Sequence, residues 1–215
     1  MRSIAALSLC LGLTATLAAC SQGGGNSTGG GGSAAATSGE MSLGNPAAKV
    51  QVVEYASLGC PICAQWTNTN WDTFKTKFID SGKIHYTLRE YVLTGDGPVA
   101  TAGFLLAHCA GKDKYFQVVE SVFRQEAPLL ETDRNTEKRD ALIKVAQSAG
   151  LTEAQFDACV SNDAAILKLN DQAQKYATDD KINSTPTFVI NGKPIVTGDE
   201  AEIEKGIADA QAAAK

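Results

Sequence analysis

The period of the apolar residues changes along this chain in a set order, and that order limits the folds open to it. Val50-Gln51-Val52-Val53-Glu54-Tyr55 is short, apolar and β-branched, the pattern of a buried strand. Ser57-Leu58-Gly59 turns. Residues 60–80 then take helical spacing through Trp66, Thr69/Asn70, Phe74 and Phe78, and Ser81-Gly82 closes the helix. Residues 84–92 form a second strand, so the pair is expected to be parallel with a right-handed crossover. Residues 98–178 lack alternation and hold only helical segments. One carries Phe116, Val119, Val122 and Phe123. A second carries Leu142, Val145 and Ala149, with Gly150 as its C-terminal glycine. Thr152-Glu153-Ala154-Gln155 reads as a capping box, and Ile166, Leu169, Ala173 and Tyr176 follow at helical spacing. After Thr185-Pro186 the period returns to two, with Thr187-Phe188-Val189-Ile190, an Asn191-Gly192 hairpin turn and a return strand over residues 193–197. Asp199 with Glu202 opens a last helix carrying Ile203 and Ile207. The class is α/β: a βαβ half over residues 41–97, a helical insertion over 98–178, and a ββα half over 179–215.

What precedes this domain reads as targeting. Residues 1–19 have Arg2, a short apolar run and small residues before Cys20, as a secretory signal does. Leu17-Ala18-Ala19-Cys20 resembles a bacterial lipobox, which makes Cys20 a lipidated N-terminus, and Ser21 after it points to an outer membrane. The segment from Cys20 to residue 40 is Gly- and Ser-rich and too polar to offset its chain entropy, so it is expected to be a tether reaching roughly 25 Å. The net charge of −5 argues against nucleic acid as a partner. No second long apolar run exists, which excludes a multi-pass membrane protein. Six cysteines in 215 residues are too few for a disulfide-built miniprotein but enough for redox chemistry or one metal site.

Cys60-Pro61-Ile62-Cys63 lies where the first strand hands over to the first helix. At a helix N-terminus the free N–H groups and the macrodipole favour a thiolate, so the Cys60 thiol should titrate below its usual value of about 8.5. Pro61 suits the first helical turn. Cys63, one turn on, can close a small disulfide, with the more exposed Cys60 as nucleophile. A zinc half-site is the competing reading, but its remaining ligands would come from Cys109, Cys159, His85 or His108, scattered along the chain. No metal and no cofactor are expected. Glu54 is a carboxylate inside a buried strand pattern, where its pKa tends to rise and acids often mark sites; an edge position facing solvent is the alternative. Trp66 and Trp71 read as core or groove wall, His85 as a packing or solvated strand residue, His108 as a neighbour of Cys109 for which a ligand or redox role is the lesser alternative, and Asp179-Asp180 as a solvated corner.

Together these residues resemble the DsbA-like thiol–disulfide oxidoreductases of the thioredoxin superfamily. The likeness rests on Glu54 six residues before Cys60, on Cys60-Pro61-Ile62-Cys63, on the helical insertion, and on Asn183-Ser184-Thr185-Pro186 opening the third strand, over roughly residues 43–212. It implies a thioredoxin-like fold with an inserted all-helical domain and a cis peptide at Pro186. It implies Cys60 and Cys63 as the redox pair, with Glu54 moving protons for Cys63. Pro61, Ile62, Thr185 and Pro186 would hold substrate. The strongest oxidants of the family carry His where Ile62 stands, so a less oxidising couple and a less depressed Cys60 are expected. The implied partners are reduced exported proteins as substrates and a membrane quinone-linked oxidase for recycling. The chain is expected to be a monomer on the periplasmic side of a bacterial membrane, anchored by lipid. A disulfide isomerase or reductase remains the alternative, although family isomerases carry an N-terminal dimerisation domain that the polar segment 21–40 does not resemble. Cys109 and Cys159, both among the inserted helices, are either two buried thiols or a structural disulfide, and export favours the disulfide.

Overall fold

The computed structural model describes residues 40–92, 97–125, 129, 132 and 134–214. The expected signal, the expected lipidation at Cys20 and all of the expected tether except residue 40 fall outside the described residues.

Among the described residues, five strands form one mixed sheet in the order β1-β3-β2-β4-β5. They are β1 (Met41–Gly44), β2 (Gln51–Ala56), β3 (His85–Glu90), β4 (Thr187–Ile190) and β5 (Lys193–Ile195). The apolar run of β2 is central because both its faces are covered: Val52 and Ala56 are fully buried, and Glu54 and Tyr55 are nearly so. It pairs in parallel with β3, as the strand–helix–strand pattern predicts, and antiparallel with β4, so that Glu54 faces Leu88 on one side and Phe188 on the other. Asn191 and Gly192, with φ of 45° and 82°, make the two-residue turn between β4 and β5. The return strand stops at Ile195, not at residue 197, because the Thr197 hydroxyl instead accepts the Asp199 N–H at 2.9 Å ahead of the last helix. Strand β1 adds a member the sequence pattern does not announce, antiparallel to β3. Four residues reading Met-Ser-Leu-Gly are too few to display an alternation.

Helix α1 spans Pro61–Phe74, and the predicted helix then continues to Ile79 with a wider, π-helical turn in which the Asp80 N–H reaches back to Lys75 O. That turn brings Phe78 and Ile79 into the core together with Phe74. Among the described residues, five helices with described bounds lie between β3 and β4: α2 (Gly97–Cys109), α3 (Tyr115–Arg124), α4 (Asn135–Ser148), α5 (Glu153–Val160) and α6 (Asp163–Thr178). Their ends match the predicted signals. Thr152 and Gln155 form a reciprocal capping box on α5. Gly150, at φ 85°, ends α4 with Leu151 N–H bonded to Ala146 O. Helix α7 (Glu200–Ala213) is capped by the Asp199 carboxylate through the Ala201 N–H, with Glu202 in its first turn.

The core runs through both halves. Trp66 of α1 packs 4.9 Å from Phe188 and 5.4 Å from Phe74 between ring centroids, while Trp71 lies 5.1 Å from Tyr86 and stacks with Phe116 of α3. Both indoles are buried, so they belong to the core. The inserted helices are thereby docked on α1, whose first turn carries the two cysteines. No helix among the described residues is long and apolar enough to cross a membrane.

Candidate active site

Strand β2 ends at Ala56 and the chain turns through Ser57-Leu58-Gly59, with the Cys60 N–H bonded to Ser57 O at 3.1 Å. Cys60 is the N-cap residue of α1 in an extended conformation (φ −98°, ψ 114°), and Pro61 occupies the first helical position. The two sulfurs are present as a dithiol. Cys60 is 7% exposed and Cys63 is fully buried, and the residues between them, Pro61 and Ile62, are open to solvent. The outer cysteine is therefore the accessible one, as expected, but it sits in a notch rather than on a bare surface.

The peptide before Pro186 is cis, and this loop faces the dithiol: Cys60 Sγ lies 3.3 Å from Thr185 O. Thr185 is buried beside Cys60. Gly198 closes the same notch, since a Cβ on it would come within 3.0 Å of Ile62 Cγ2 and 3.8 Å of Pro186 Cγ. Ile62 leaves exposed apolar surface beside it.

The electrostatics of the two thiols diverge. The Cys63 side chain, as a hydrogen-bond donor, draws the Cys60 thiol from 9.0 down to about 6; burial opposes this, while Thr185 and the N–H groups of Cys63 and Ile62 assist. Cys63 is pushed well above its ordinary range, first by burial, then by the hydrogen bond and charge of Cys60 and by Glu54. Glu54 is 2% exposed and does not face solvent. Burial raises its carboxyl from 4.5 to about 7, against the Tyr86 hydroxyl, which donates to Glu54 Oε2 at 2.5 Å; the Cys60 charge and Glu200 raise it further.

Three of these groups escape sequence reasoning. Tyr86 could have been found, because Ile84 just before β3 and Tyr86 and Leu88 on it recur as buried residues at a spacing of two. Gly198 sits in an irregular segment with no pattern. Glu200 reads as an ordinary first-turn acid, yet it accepts the Trp66 indole N–H at 2.9 Å, and burial lifts its carboxyl to about 7.

The remaining predicted residues fall away from the dithiol. Cys109 and Cys159 are bonded to each other, S–S 1.98 Å, tying α2 to α5. His108 Nε2 lies 2.6 Å from Glu90 Oε1, which also accepts the Tyr115 hydroxyl, and His85 pairs with Gln51. Asp180 is exposed, as expected of a corner, but it is not merely solvated: it accepts the Tyr55 hydroxyl and pairs with Arg89. Among the described residues no three His, Cys, Asp or Glu side chains gather as a metal site, so the scattered ligands of the zinc reading are not brought together.

The family described as "Thioredoxin" matches residues 36–209. A provisionally named protein-disulfide oxidoreductase of Rickettsia bellii (strain RML369-C) is 30% identical over 153 residues, covering 71% of this chain and 57% of that protein. The chain thus spans little more than half the length of the curated relatives it matches. Among solved structures, Wolbachia pipientis alpha-DsbA1 superposes with a TM-score of 0.71 at 22% identity, covering 83% of this chain and 96% of that one. Oxidised BdbD from Bacillus subtilis gives 0.64 at 23% identity, covering 80% and 92%. These structures share the fold.

Proposed function

The chain belongs to the thioredoxin family, and we propose that it is a DsbA-like, extracytoplasmic protein thiol–disulfide oxidoreductase that introduces disulfides into exported proteins. The observation that carries this reading is the asymmetry of the dithiol. One sulfur is stabilised as a thiolate beside the cis Thr185-Pro186 loop, and the other is buried next to a carboxyl poised near neutrality.

The steps follow from that asymmetry. In the oxidised protein a substrate thiolate attacks Cys60 Sγ. The Cys60–Cys63 bond breaks, its electron pair leaves on Cys63, and a substrate–Cys60 disulfide forms. Cys63 holds a negative charge poorly, so it takes the proton that Glu54 carries. A second substrate thiolate then attacks the substrate sulfur of the mixed disulfide and expels Cys60 as the stabilised thiolate. Two substrate thiols become one disulfide, and the protein dithiol takes up the electron pair. A low leaving-group pKa at Cys60 favours this direction. Thr185 and Pro186 hold the substrate backbone beside the sulfur, and Pro61, Ile62 and Gly198 frame it.

Clients are reduced exported proteins, and a membrane quinone-linked oxidase restores the disulfide. The chain acts as a monomer, tethered by lipid at Cys20 to the periplasmic side of a membrane, with the outer membrane indicated by Ser21. The charge and donor arrangement favour this chemistry over a metal-binding module built on Cys60 and Cys63.

Oxidation of a dithiol peptide tests the reading. Cys60→Ser should abolish turnover, and Cys63→Ser, offered the oxidised peptide instead, should trap a mixed disulfide on Cys60 because no second thiol resolves it. With Ile rather than His at position 62, the potential should be more negative than the roughly −120 mV of the strongest oxidants. Turnover that persists in Cys60→Ser would remove the assignment. A chain that reshuffles scrambled disulfides but does not form new ones would make it an isomerase or reductase.

A further inference from the structure

Gly198 stands between Ile62 and Pro186 at one wall of the notch that holds Cys60. The stretch that carries it has little to fix it there. Strand β5 ends at Ile195, and none of residues 196–202 is buried; the core is rejoined only at Ile203, in the first turn of α7. The bonds from the Asp199 N–H to the Thr197 hydroxyl and from the Ala201 N–H to the Asp199 carboxylate are local to the stretch. Glu200 reaches out of it. Its Oε2 accepts the Trp66 indole N–H at 2.9 Å, and Trp66 is itself immobilised, buried against Phe188 and Phe74. Trp66 follows Ile62 by four residues, so both side chains lie on one face of α1, one turn apart. Gly198 at Ile62 and Glu200 at Trp66 are therefore two successive points of approach along the active-site helix. Ile62 is 55% exposed and cannot hold the first point alone, so the second must.

We propose that Glu200 is a positioning residue for substrate selection: by fastening residues 196–200 to Trp66 it fixes the width of the gap at Gly198, and so decides how large a side chain can flank the reacting cysteine of a substrate. The proposal rests on the oxidoreductase reading and adds a specificity determinant to it. As held, the gap is narrow, because even a methyl group on Gly198 would stand 3.0 Å from Ile62 Cγ2. Substrates with small residues beside the cysteine are the class it takes. Released from Trp66, the stretch can swing away from Ile62; the gap then admits bulky flanks and aligns small ones less well. Glu200 also carries charge, which Glu54 feels, and Lys77, Asp199 and Glu204 lie around it. The hydrogen bond and the charge are separable by substitution.

Oxidation kinetics of the full chain on two dithiol peptides test this, one with Ala and one with Trp beside the reacting cysteine. The parent should prefer the Ala peptide by about tenfold in kcat/KM, a discrimination of the size that pocket shape alone supplies. Glu200→Ala should bring the two peptides within about threefold of each other, through KM rather than kcat, with the Cys60 titration unmoved. Glu200→Gln loses the charge but keeps an acceptor for Trp66, so it should retain the parental preference. Gly198→Ala leaves the Trp66 bond in place and puts a methyl group into the gap, so it should sharpen the preference. Equal use of both peptides by the parent, a parental preference in Glu200→Ala, or an unsharpened one in Gly198→Ala would overturn the proposal. So would a Glu200→Gln that behaves as Glu200→Ala, which would assign the effect to charge. A parent chain that oxidises neither peptide would instead overturn the oxidoreductase reading beneath it.

Discussion

Burial raises the pKa of both thiols, yet only Cys63 ends above its ordinary range. The difference lies in what surrounds each sulfur. Cys60 faces hydrogen-bond donors, including the N–H groups of Ile62 and Cys63 at the open end of α1, whereas Cys63 faces the charges of Cys60 and Glu54. No imidazole at position 62 is needed to bring Cys60 to about 6. Replacing Ile62 by His should lower it further and make the couple more oxidising, which redox titration against glutathione reads directly. Glu54 gives a second prediction, with a definite sign. Its carboxyl is near 7 in the fold and near 4.5 when unfolded, so between these values the folded chain holds a proton that the unfolded chain has released. Stability from this group is therefore lost as pH rises from about 4.5 to 7 and is level above. Glu54→Gln keeps an acceptor for Tyr86 and should lack that slope. The reduced variant should gain on the order of 3 kcal/mol over the reduced parent across the window, read as denaturant unfolding at several pH values. A parallel pH dependence in the two proteins would contradict a buried, proton-holding Glu54.

At the scale of elements, the active-site turn is wedged between the sheet and the insertion. Gly103 on α2 lets that helix lie against Leu58, two residues before Cys60; a Cβ there would stand 2.7 Å from Leu58 Cδ1. Leu58 is fully buried and has little room to yield. Gly103→Val should cost about 1–3 kcal/mol by overpacking, visible as a lower thermal midpoint, and should disturb Cys60 titration as well. The features that were legible beforehand are the local ones. Pro61 after Cys60 marks the helix start, Asn191-Gly192 marks the hairpin, Thr152 and Gln155 mark a cap, and in each case the physics is contained within four residues. The resemblance supplied Pro186 opposite the dithiol. What could not be read is contact across distance. The bond from Trp66 to Glu200 spans 134 positions, and the bond from Trp71 to Glu120 spans 49, with no local signal at either end. Strand β1 was too short to show a period, and the π turn after Phe74 answers to three apolar residues seeking one core.

Over the whole molecule, the insertion both covers α1 and braces itself. The Cys109–Cys159 bond joins α2 and α5 across 50 residues, remote from the dithiol in role if not in chemistry. On the loop-entropy argument the paired change to Ala should lower stability by about 4 kcal/mol while leaving the Cys60 titration in place. Urea unfolding of the double variant measures the first and thiol titration the second. The central claim is narrower than any of these: the fold holds Cys60 as a thiolate that substrates can reach. Its most direct test is the pH titration of thiolate absorbance and alkylation rate in the reduced chain, assigned with Cys60→Ser and Cys63→Ser. A single reactive thiol with a midpoint near 6, absent in Cys60→Ser, is the predicted result; a midpoint at or above about 8.5, or a Cys60 that does not alkylate, would contradict it.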